Sequence, residues 1–143
     1  MSVQLQNKLL FQGVSFPVLH FDANKTYDGT SKIDLNVTPK VFYPKEESMS
    51  FGIVMEVKLY CKDTFSLELL ASGMFKFGDD DIAEELKTSF INVNAPAIMF
   101  PYVRSFISTF TSNVGNIVGA LTIPTQFFNG ILEEYIPKKV TED

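Results

Sequence analysis

Few side chains in this sequence could act as a nucleophile or a general base. The chain has one cysteine, Cys61, and one histidine, His20, which are the candidates for a reactive pair in covalent catalysis. His20 begins a polar stretch, whereas Cys61 lies at the end of an alternating segment, so the pattern gives no reason for the two side chains to meet. One cysteine forms no internal disulfide, and no cluster of Cys and His supplies zinc ligands. We therefore expect no catalytic site and no metal site of this kind.

Two groups of acidic residues suggest other chemistry. Three adjacent aspartates at 79–81 are compatible with calcium, but the alternating ligands and the turn glycine of a calcium loop are absent. Because negative charge stabilises a helix N-terminus, we interpret them as a helix start, in which Asp81 and Glu84 have the spacing of a capping box. Glu133 and Glu134 are neighbours that point to different sides of a helix, so they do not form an acid and base pair. We expect a binding or assembly protein without a cofactor, not an enzyme.

Composition and charge exclude two further kinds of partner. The 143 residues carry a net charge of −5 with scattered lysines and arginines, so we expect no nucleic acid, which requires a basic surface. No stretch approaches the roughly 18 consecutive apolar residues of a membrane span, and the N-terminus lacks the basic region of a signal peptide. We expect one cytoplasmic domain over residues 1–143, with a loose tail from about 137.

The first half of the chain has the period of two that is typical of β-strands. From Ser50 to Lys62 the odd positions are apolar. After a short link at 63–64, the alternation resumes from Phe65 to Phe77, which predicts a long hairpin.

Two earlier segments complete the predicted sheet. Residues 33–41 alternate in the same way, and Pro39 among them cannot donate to a ladder, so this strand lies at an edge or bulges there. The first strand covers about residues 9–19 and is interrupted by a glycine and a proline. The polar stretch 20–31 is too long for a tight hairpin and predicts a crossover loop. Clean alternation indicates an antiparallel sheet with one buried and one wet face.

The second half of the chain is predicted to be helical. A short helix covers about residues 81–90, and Asn94 caps a long helix that Gly115 ends. Pro101 falls within the first two turns of the long helix, where its missing N–H costs little. A last helix covers residues 125–135. The sequence therefore predicts an α+β fold, with a four-stranded antiparallel sheet, a crossover loop, and a long helix plus a shorter last helix packed on one face.

The helical half is almost without charge. Residues 88–132 contain one charged side chain, Arg104. A helix normally keeps a charged, solvated face opposite its apolar stripe, so this region implies a surface covered by another subunit or a partner. Arg104 is expected to bond helix or loop carbonyls at a subunit interface rather than to contact a bound chain.

Aromatic residues are the candidates for a binding surface. The chain has 14 phenylalanines and five tyrosines, a heavy load for a sheet with one buried face. Each of them alone is more simply explained as core. Together, several are expected to line a groove that accepts extended apolar segments of another chain, namely Tyr27, Phe65, Tyr102, Phe127 and Phe128.

The motifs of the helical half resemble those of a known family. Residues 94–104, Asn-Ala-Pro-Ala-Ile-Met-Phe-Pro-Tyr-Val-Arg, followed by Ile-Pro-Thr-Gln-Phe at 123–127, are similar to the signature of the bacterial protein-export chaperone SecB. Ser-Gly-Met-Phe at 72–75 and Ser-Phe at 15–16 resemble strand motifs of the same family. The similarity covers about residues 10–135, and its most specific element is the pair of prolines that flank an apolar quartet in a helix start.

The resemblance implies how the chain assembles and where it binds its clients. SecB proteins are dimers of dimers whose long helices are sandwiched between sheets, and this arrangement would account for the missing charged face. The resemblance therefore implies that four residues of the long helix lie at subunit interfaces, namely Met99, Val103, Phe106 and Phe110. Family members hold unfolded polypeptides on apolar surfaces, and the positions here that align with such residues are Tyr27, Phe65 and Tyr102.

A second binding surface is implied on the wet face of the sheet. In the family this face is acidic and docks the export motor SecA, and Glu68 matches an important acid. Two other acids of that face align with Gly13 and Pro17 here, so SecA is a possible partner with an incomplete contact set.

The resulting prediction is an ATP-independent holdase that binds unfolded polypeptides and keeps preproteins competent for export through the Sec pathway. A SecB-like chaperone dedicated to an antitoxin or another specific client is the first alternative, because that role does not need the motor. An oligomeric carrier of a small hydrophobic ligand is an alternative from another class, and a plain scaffold is a third.

Overall fold

The computed structural model describes residues 8–137 of the chain. Four long strands form an antiparallel sheet, and they are β1 (Leu9–Ala23), β2 (Asp34–Phe42), β3 (Ser50–Cys61) and β4 (Phe65–Phe77). A two-residue strand, β5 (Glu133–Glu134), pairs in parallel with β2, so the strand order is β1-β4-β3-β2-β5. The predicted antiparallel sheet is confirmed, with one short strand more than expected.

The β3–β4 hairpin forms where the alternation predicted it. The odd-numbered residues of both strands are buried on one face, and the pairing between the strands runs without a register shift. At the turn Asp63 adopts a φ of 57°, and the hydroxyl of Thr64 donates to the carbonyl of Lys62 at 3.0 Å. The buried face of this hairpin is the floor of the hydrophobic core.

β1 is longer than the sequence predicted. It continues to Ala23, so the crossover loop begins at Asn24 rather than at His20. Gly13, with a φ of 115°, and Pro17 lie at the two register shifts of this strand. A bulge tolerates both a positive φ and a missing N–H, because its backbone is already unpaired, and the strand therefore continues past both residues.

β2 lies at the edge of the four long strands, as Pro39 predicted. Its pairing with β3 runs without a break from Asp34 to Phe42. The carbonyl of Val41 accepts a hydrogen bond from the N–H of Tyr135 at 2.7 Å, so the peptide groups of Val41 face away from β3. Because this direction alternates along a strand, those of Pro39 face away as well, and its missing N–H costs the β2–β3 ladder no bond.

The helical half consists of two α-helices that are joined without a break by a wider, π-helical turn. The helix α1 (Glu84–Ser89) leads through a π turn at Phe90–Asn94 into the helix α2 (Ala95–Ser112). The N–H of Ala95 donates to the carbonyl of Phe90, five residues back. Asn94 is itself helical and its side chain caps nothing, so the predicted cap is wrong. The wide turn instead places Pro96, which has no N–H, where the regular bonding is already interrupted.

The predicted capping box at the start of α1 is also wrong. The residue before the helix is Ala83, which has an extended backbone and no side-chain cap bond. The N–H of Asp81 donates instead to the carboxylate of Asp79 at 3.1 Å, outside the helix. The first turn still carries Glu84 and Glu85, whose negative charge favours the positive end of the helix dipole.

The predicted last helix over residues 125–135 does not form. The segment is irregular up to β5. Gly130 lies in its middle, where glycine costs a helix about 1 kcal/mol relative to alanine. The irregular path is held at both ends, because Phe128 packs on α2 and the N–H of Tyr135 reaches the edge of β2. The loose tail that was predicted to follow lies outside the described residues from 138 onward.

The core lies between the inner face of the sheet and one side of α2. Met99, Val103 and Ile107 of the helix are fully buried there. Gly73 of β4 lies beneath Met99, and a Cβ at Gly73 would approach the sulfur of Met99 to 2.9 Å, so a glycine gives the helix room to settle on the sheet. Apart from the last helix, the α+β fold class is confirmed.

Candidate functional site

A seam of aromatic pairs joins β1 to α2. Three side chains of the strand each pack against one of the helix, and the ring centroids are 5.1 Å apart for Phe11–Tyr102, 4.1 Å for Phe16–Phe106 and 5.5 Å for Phe21–Phe110. Such pairs add about 0.5–1.5 kcal/mol each beyond the burial of their area. The seam therefore fixes α2 over β1, and it uses Phe106 and Phe110 within one chain, where both are half-buried. Their predicted place at a subunit interface stays a prediction.

The two sides of α2 make different contacts. Met99 and Val103 point inward and are 0% exposed, so these two predicted interface residues lie in the core of their own chain. The outward side carries no charge, and its exposed residues are Ala97, Ile98, Pro101, Tyr102, Ser105, Thr109 and Ser112. Any partner of this helix would meet that uncharged side.

Two polar side chains of α2 tie down the chain that follows it. The Nε of Arg104 donates to the carbonyl of Ile123 at 3.0 Å. A hydrogen bond from this arginine to a loop carbonyl was predicted. The hydroxyl of Thr111 donates to the carbonyl of Ile107 at 2.7 Å and accepts a hydrogen bond from the N–H of Leu121 at 2.9 Å. The return path after the helix is thus held at two points.

The aromatics that were predicted to share a groove are not all together. Tyr27 and Phe65 meet edge to face with centroids 5.8 Å apart, but Phe65 is only 2% exposed and supports the tyrosine ring from below. The hydroxyl of Tyr27 donates to the carbonyl of Ser31 at 2.8 Å, within the crossover loop. Tyr102 is 50% exposed on the outward side of α2. The pair at the loop and this tyrosine are therefore separate contact points.

Phe127 and Phe128 lie on the segment of residues 126–137, which we call the C-terminal strap. Phe127 is 92% exposed, whereas Phe128 packs against Phe100 of α2 with centroids 5.7 Å apart. Farther along, Ile131 and Ile136 are also almost fully exposed. The strap thus alternates between side chains that anchor it and apolar side chains that face solvent.

The strap crosses the free edge of β2, a contact that the sequence prediction missed. Glu133 is opposite Lys40 and Glu134 is opposite Val41 in β5, and a groove of about 390 Å³ separates the preceding strap residues from β2. The apolar residues of the strap have helical spacing, which hid this arrangement. The one available signal was Pro39, because it marked an edge strand whose backbone needs cover.

The outer face of the sheet is charged, as predicted. Lys40 and Glu56 form an ion pair with a 3.0 Å Nζ–Oε1 distance, and the hydrogen bond to this carboxylate raises the pKa of Lys40 above its ordinary value. Glu68 is exposed and stands in register between His20 of β1 and Lys58 of β3. A groove of about 540 Å³ lies beside these residues. The docking role of Glu68 stays a prediction.

The two residues first considered for catalysis lie on opposite faces of the sheet. His20 is exposed on the outer face, and Cys61 is 1% exposed in the core. Within residues 8–137, no three His, Cys, Asp or Glu side chains gather as the ligands of a metal ion would. No helix in that part of the chain has the length and apolarity to cross a membrane.

Similar sequences are found among preprotein-export proteins. Residues 4–123 match the family model described as preprotein translocase subunit SecB. An uncharacterized protein of Methanocaldococcus jannaschii is 30% identical over 100 residues, which cover 66% of this chain and 64% of that protein. The protein-export protein SecB of Orientia tsutsugamushi (strain Boryong) is 31% identical over 87 residues, which cover 59% of this chain and 51% of that protein. The alignments span less than two thirds of either relative.

A solved structure has the same fold. The SecB-like chaperone of Mycobacterium tuberculosis, in complex with a peptide from an antitoxin, superposes with a TM-score of 0.66 over 86% of this chain and 94% of its own, at 15% identity. At that identity the likeness concerns the fold alone, and it agrees with the sheet and long helix described above. Because the family model covers most of the sequence and the fold agrees with it, the chain belongs to the SecB family.

Proposed function

We propose that this protein is a molecular chaperone that holds unfolded polypeptides without consuming a nucleotide and without enzymatic activity. The observation that carries this proposal is the match of residues 4–123 to the SecB family. The similar fold of a SecB-like chaperone that is bound to a peptide supports it. A holdase of this kind works by mass action, since it binds the unfolded state and not the folded one.

The client surface in this proposal consists of exposed apolar side chains. Tyr102 on α2 and Phe127 and Ile131 on the strap are between 50% and 92% exposed. An extended apolar segment of a client that covers such side chains gains about 25 cal/mol for each Å² of apolar area removed from water. Tyr27 contributes at the crossover loop, where Phe65 holds its ring. Phe128 is placed to anchor the strap more than to contact a client directly.

The proposed assembly is a homo-oligomer, arranged as a dimer of dimers in the cytoplasm. The support in this chain is the uncharged outward side of α2 beyond Tyr102, toward Ser112, which a single copy leaves in water. Phe106 and Phe110 are only half-buried on β1, so a sister helix would find apolar surface beside them. In this arrangement Arg104 stays hydrogen-bonded to the carbonyl of Ile123 in its own chain.

The proposed clients are preproteins on the Sec pathway, with SecA docking at the outer face through Glu68. The alternative is a dedicated client such as an antitoxin, which is what the SecB-like chaperone of similar fold binds as a peptide. The two are separated by a binding assay with purified SecA. SecA binding that is lost in Glu68→Lys favours the export role, whereas client holding without any SecA binding favours the dedicated one.

The test of holding itself is suppression of aggregation of a slowly refolding protein, followed by light scattering at stoichiometric amounts. Tyr102→Ala should weaken suppression several-fold. The matched control is Tyr60→Ala, because Tyr60 is a tyrosine of nearly the same exposure, 51%, on the charged face of the sheet, and it should leave suppression unchanged. Absence of suppression by the wild type overturns the proposal. A small hydrophobic molecule that copurifies and is detected by native mass spectrometry would point to a carrier instead.

A further inference from the structure

The edge of β2 is only partly covered by the strap. β5 pairs two residues with β2, which is nine residues long. Since the peptide groups of Val41 face the strap, those of Leu35 and Val37 face the same way and lie on the edge that β5 does not reach. A free strand edge recruits extended backbone from other chains, because its N–H and C=O groups need partners.

The strap has the chemistry of a client segment. It is not helical, it carries the apolar side chains of Phe127, Phe128, Ile131 and Leu132, and it offers backbone to the sheet edge through β5. One of its aromatic rings, Phe128, lies against Phe100, and Leu132 packs against the core. These are the interactions that an unfolded chain would make at the same edge.

Few contacts hold the strap in place. The N–H of Leu132 donates to the side-chain oxygen of Asn92 at 2.8 Å, and the N–H of Tyr135 donates to Val41 at 2.7 Å. Both residues of β5 are exposed, and the apolar side chains of Phe127 and Ile131 would lose almost no burial if the strap moved. Segments with few buried contacts open at low cost relative to the whole fold.

We propose that the strap is a built-in competitor of the client, which occupies the β2 edge in the empty protein and is displaced when an extended client segment adds there as a strand. This inference rests on the proposed holdase function. A client strand that covers β2 from Leu35 to Val41 requires the place of β5, so the strap and the client exclude each other.

A disulfide that locks the strap tests this directly. Lys40 and Glu133 are partners in adjacent strands, whose backbones are about 4.8 Å apart, a spacing that a disulfide can bridge. The double variant Lys40→Cys with Glu133→Cys, made in a Cys61→Ala background, is compared in its oxidised and reduced forms. The measured quantity is the Kd for a fluorescently labelled, permanently unfolded polypeptide.

The oxidised form should bind at least tenfold more weakly than the reduced form, and reduction should restore binding. Some binding should persist, because Tyr102 remains exposed when the strap is locked. The control is Lys40→Cys alone in the same background, which loses the ion pair to Glu56 but cannot form the lock, and oxidation should not change its Kd. Equal binding by the oxidised and reduced double variant overturns the strap inference while the holdase proposal stands. Lack of binding by the wild type and by the reduced variant overturns both.

Discussion

The side-chain oxygen of Asn92 accepts a hydrogen bond from the backbone N–H of Leu132 at 2.8 Å. The amide nitrogen of the same side chain donates to the carbonyl of Thr88 at 2.9 Å, so the helix itself orients the oxygen toward the strap. Asn92 lies in the π turn between α1 and α2. One asparagine thus connects the widened part of the helix to the segment that covers the sheet edge.

Replacement of Asn92 by alanine should loosen the strap. The loss of one partly buried hydrogen bond is expected to lower the free energy of unfolding by about 1 kcal/mol, because the N–H of Leu132 keeps no protein partner. Urea denaturation measures the loss of stability. Faster amide hydrogen exchange at Leu132 and Tyr135 should show that the loss is in the strap. Asn94→Ala is the matched control, since Asn94 is exposed and its side-chain oxygen accepts only a long, exposed hydrogen bond of 3.4 Å from the hydroxyl of Ser89, so the change in stability should be less than about 0.5 kcal/mol. Equal effects of the two changes would contradict this account.

The contribution of Arg104 to stability should depend on the geometry of its guanidinium group and not on its charge alone. Arg104→Met removes the bond from Nε to the carbonyl of Ile123 and should cost about 1–3 kcal/mol of stability. Arg104→Lys keeps the charge but lacks the planar donor, so it should recover less than half of that loss. Thermal unfolding of the three proteins measures both effects. Full recovery by lysine would mean that the charge, and not the bond, holds the loop after α2.

Gly52 of β3 should tolerate no side chain while Phe42 is present. A Cβ at Gly52 would overlap the ring of Phe42, so Gly52→Ala must push the ring off the sheet and should cost about 1–3 kcal/mol. In a Phe42→Ala background the same substitution should cost much less, because the clash is gone. Chemical denaturation of the four proteins of this cycle gives the coupling. Additive effects would show that the ring does not cover Gly52 in solution.

The crossover loop should weaken in acid through Asp28. Its carboxylate accepts hydrogen bonds from the hydroxyl and N–H of Ser31 and from the N–H of Thr30, which hold the pKa of Asp28 well below its ordinary value of 3.8. A lowered pKa in the folded state stabilises the loop fully above the ordinary value, and the contribution is lost as the pH falls below it. NMR titration of the Asp28 carboxyl should show a midpoint below the ordinary value of 3.8, and the amides of Thr30 and Ser31 should shift together with it. Asp28→Ala should abolish this titration and leave both amides unprotected at neutral pH.

Local pattern was sufficient to predict most of the sheet. The period of two in β3 and β4 identified the buried face residue by residue, because neighbouring side chains of any strand point to opposite faces. Pro39 identified the edge strand, since a missing N–H is tolerated only where no ladder needs it. The end of β1 was placed too early, because His20 and Asp22 made a strand with one wet face look like a polar loop.

Helix boundaries were predicted less well. Asn94 and Asp81 have the residue types of caps, but caps are decided by the backbone around them, and the path from Glu84 to Ser112 never leaves the helical region at Asn94. The near-absence of charge in residues 88–132 predicted a surface covered by another subunit or a partner, and this cover stays a prediction because the outward side of α2 is exposed in the single chain. Which aromatics lie inside and which outside could not be read from their spacing, because both sides of the helix carry them.

By itself, the sequence determined the four long strands apart from the end of β1, the buried face of the sheet and the family motif around Pro96 and Pro101, since all of these depend on residues close together in the chain. Only the tertiary structure decided the path of the strap. Its apolar residues fit a helix as well as an extended segment. The choice between the two conformations is set by hydrogen-bond partners far away in sequence, namely the backbone carbonyl of Val41 and the side chain of Asn92. Contacts of that kind have no local signature, because either partner alone is compatible with both conformations.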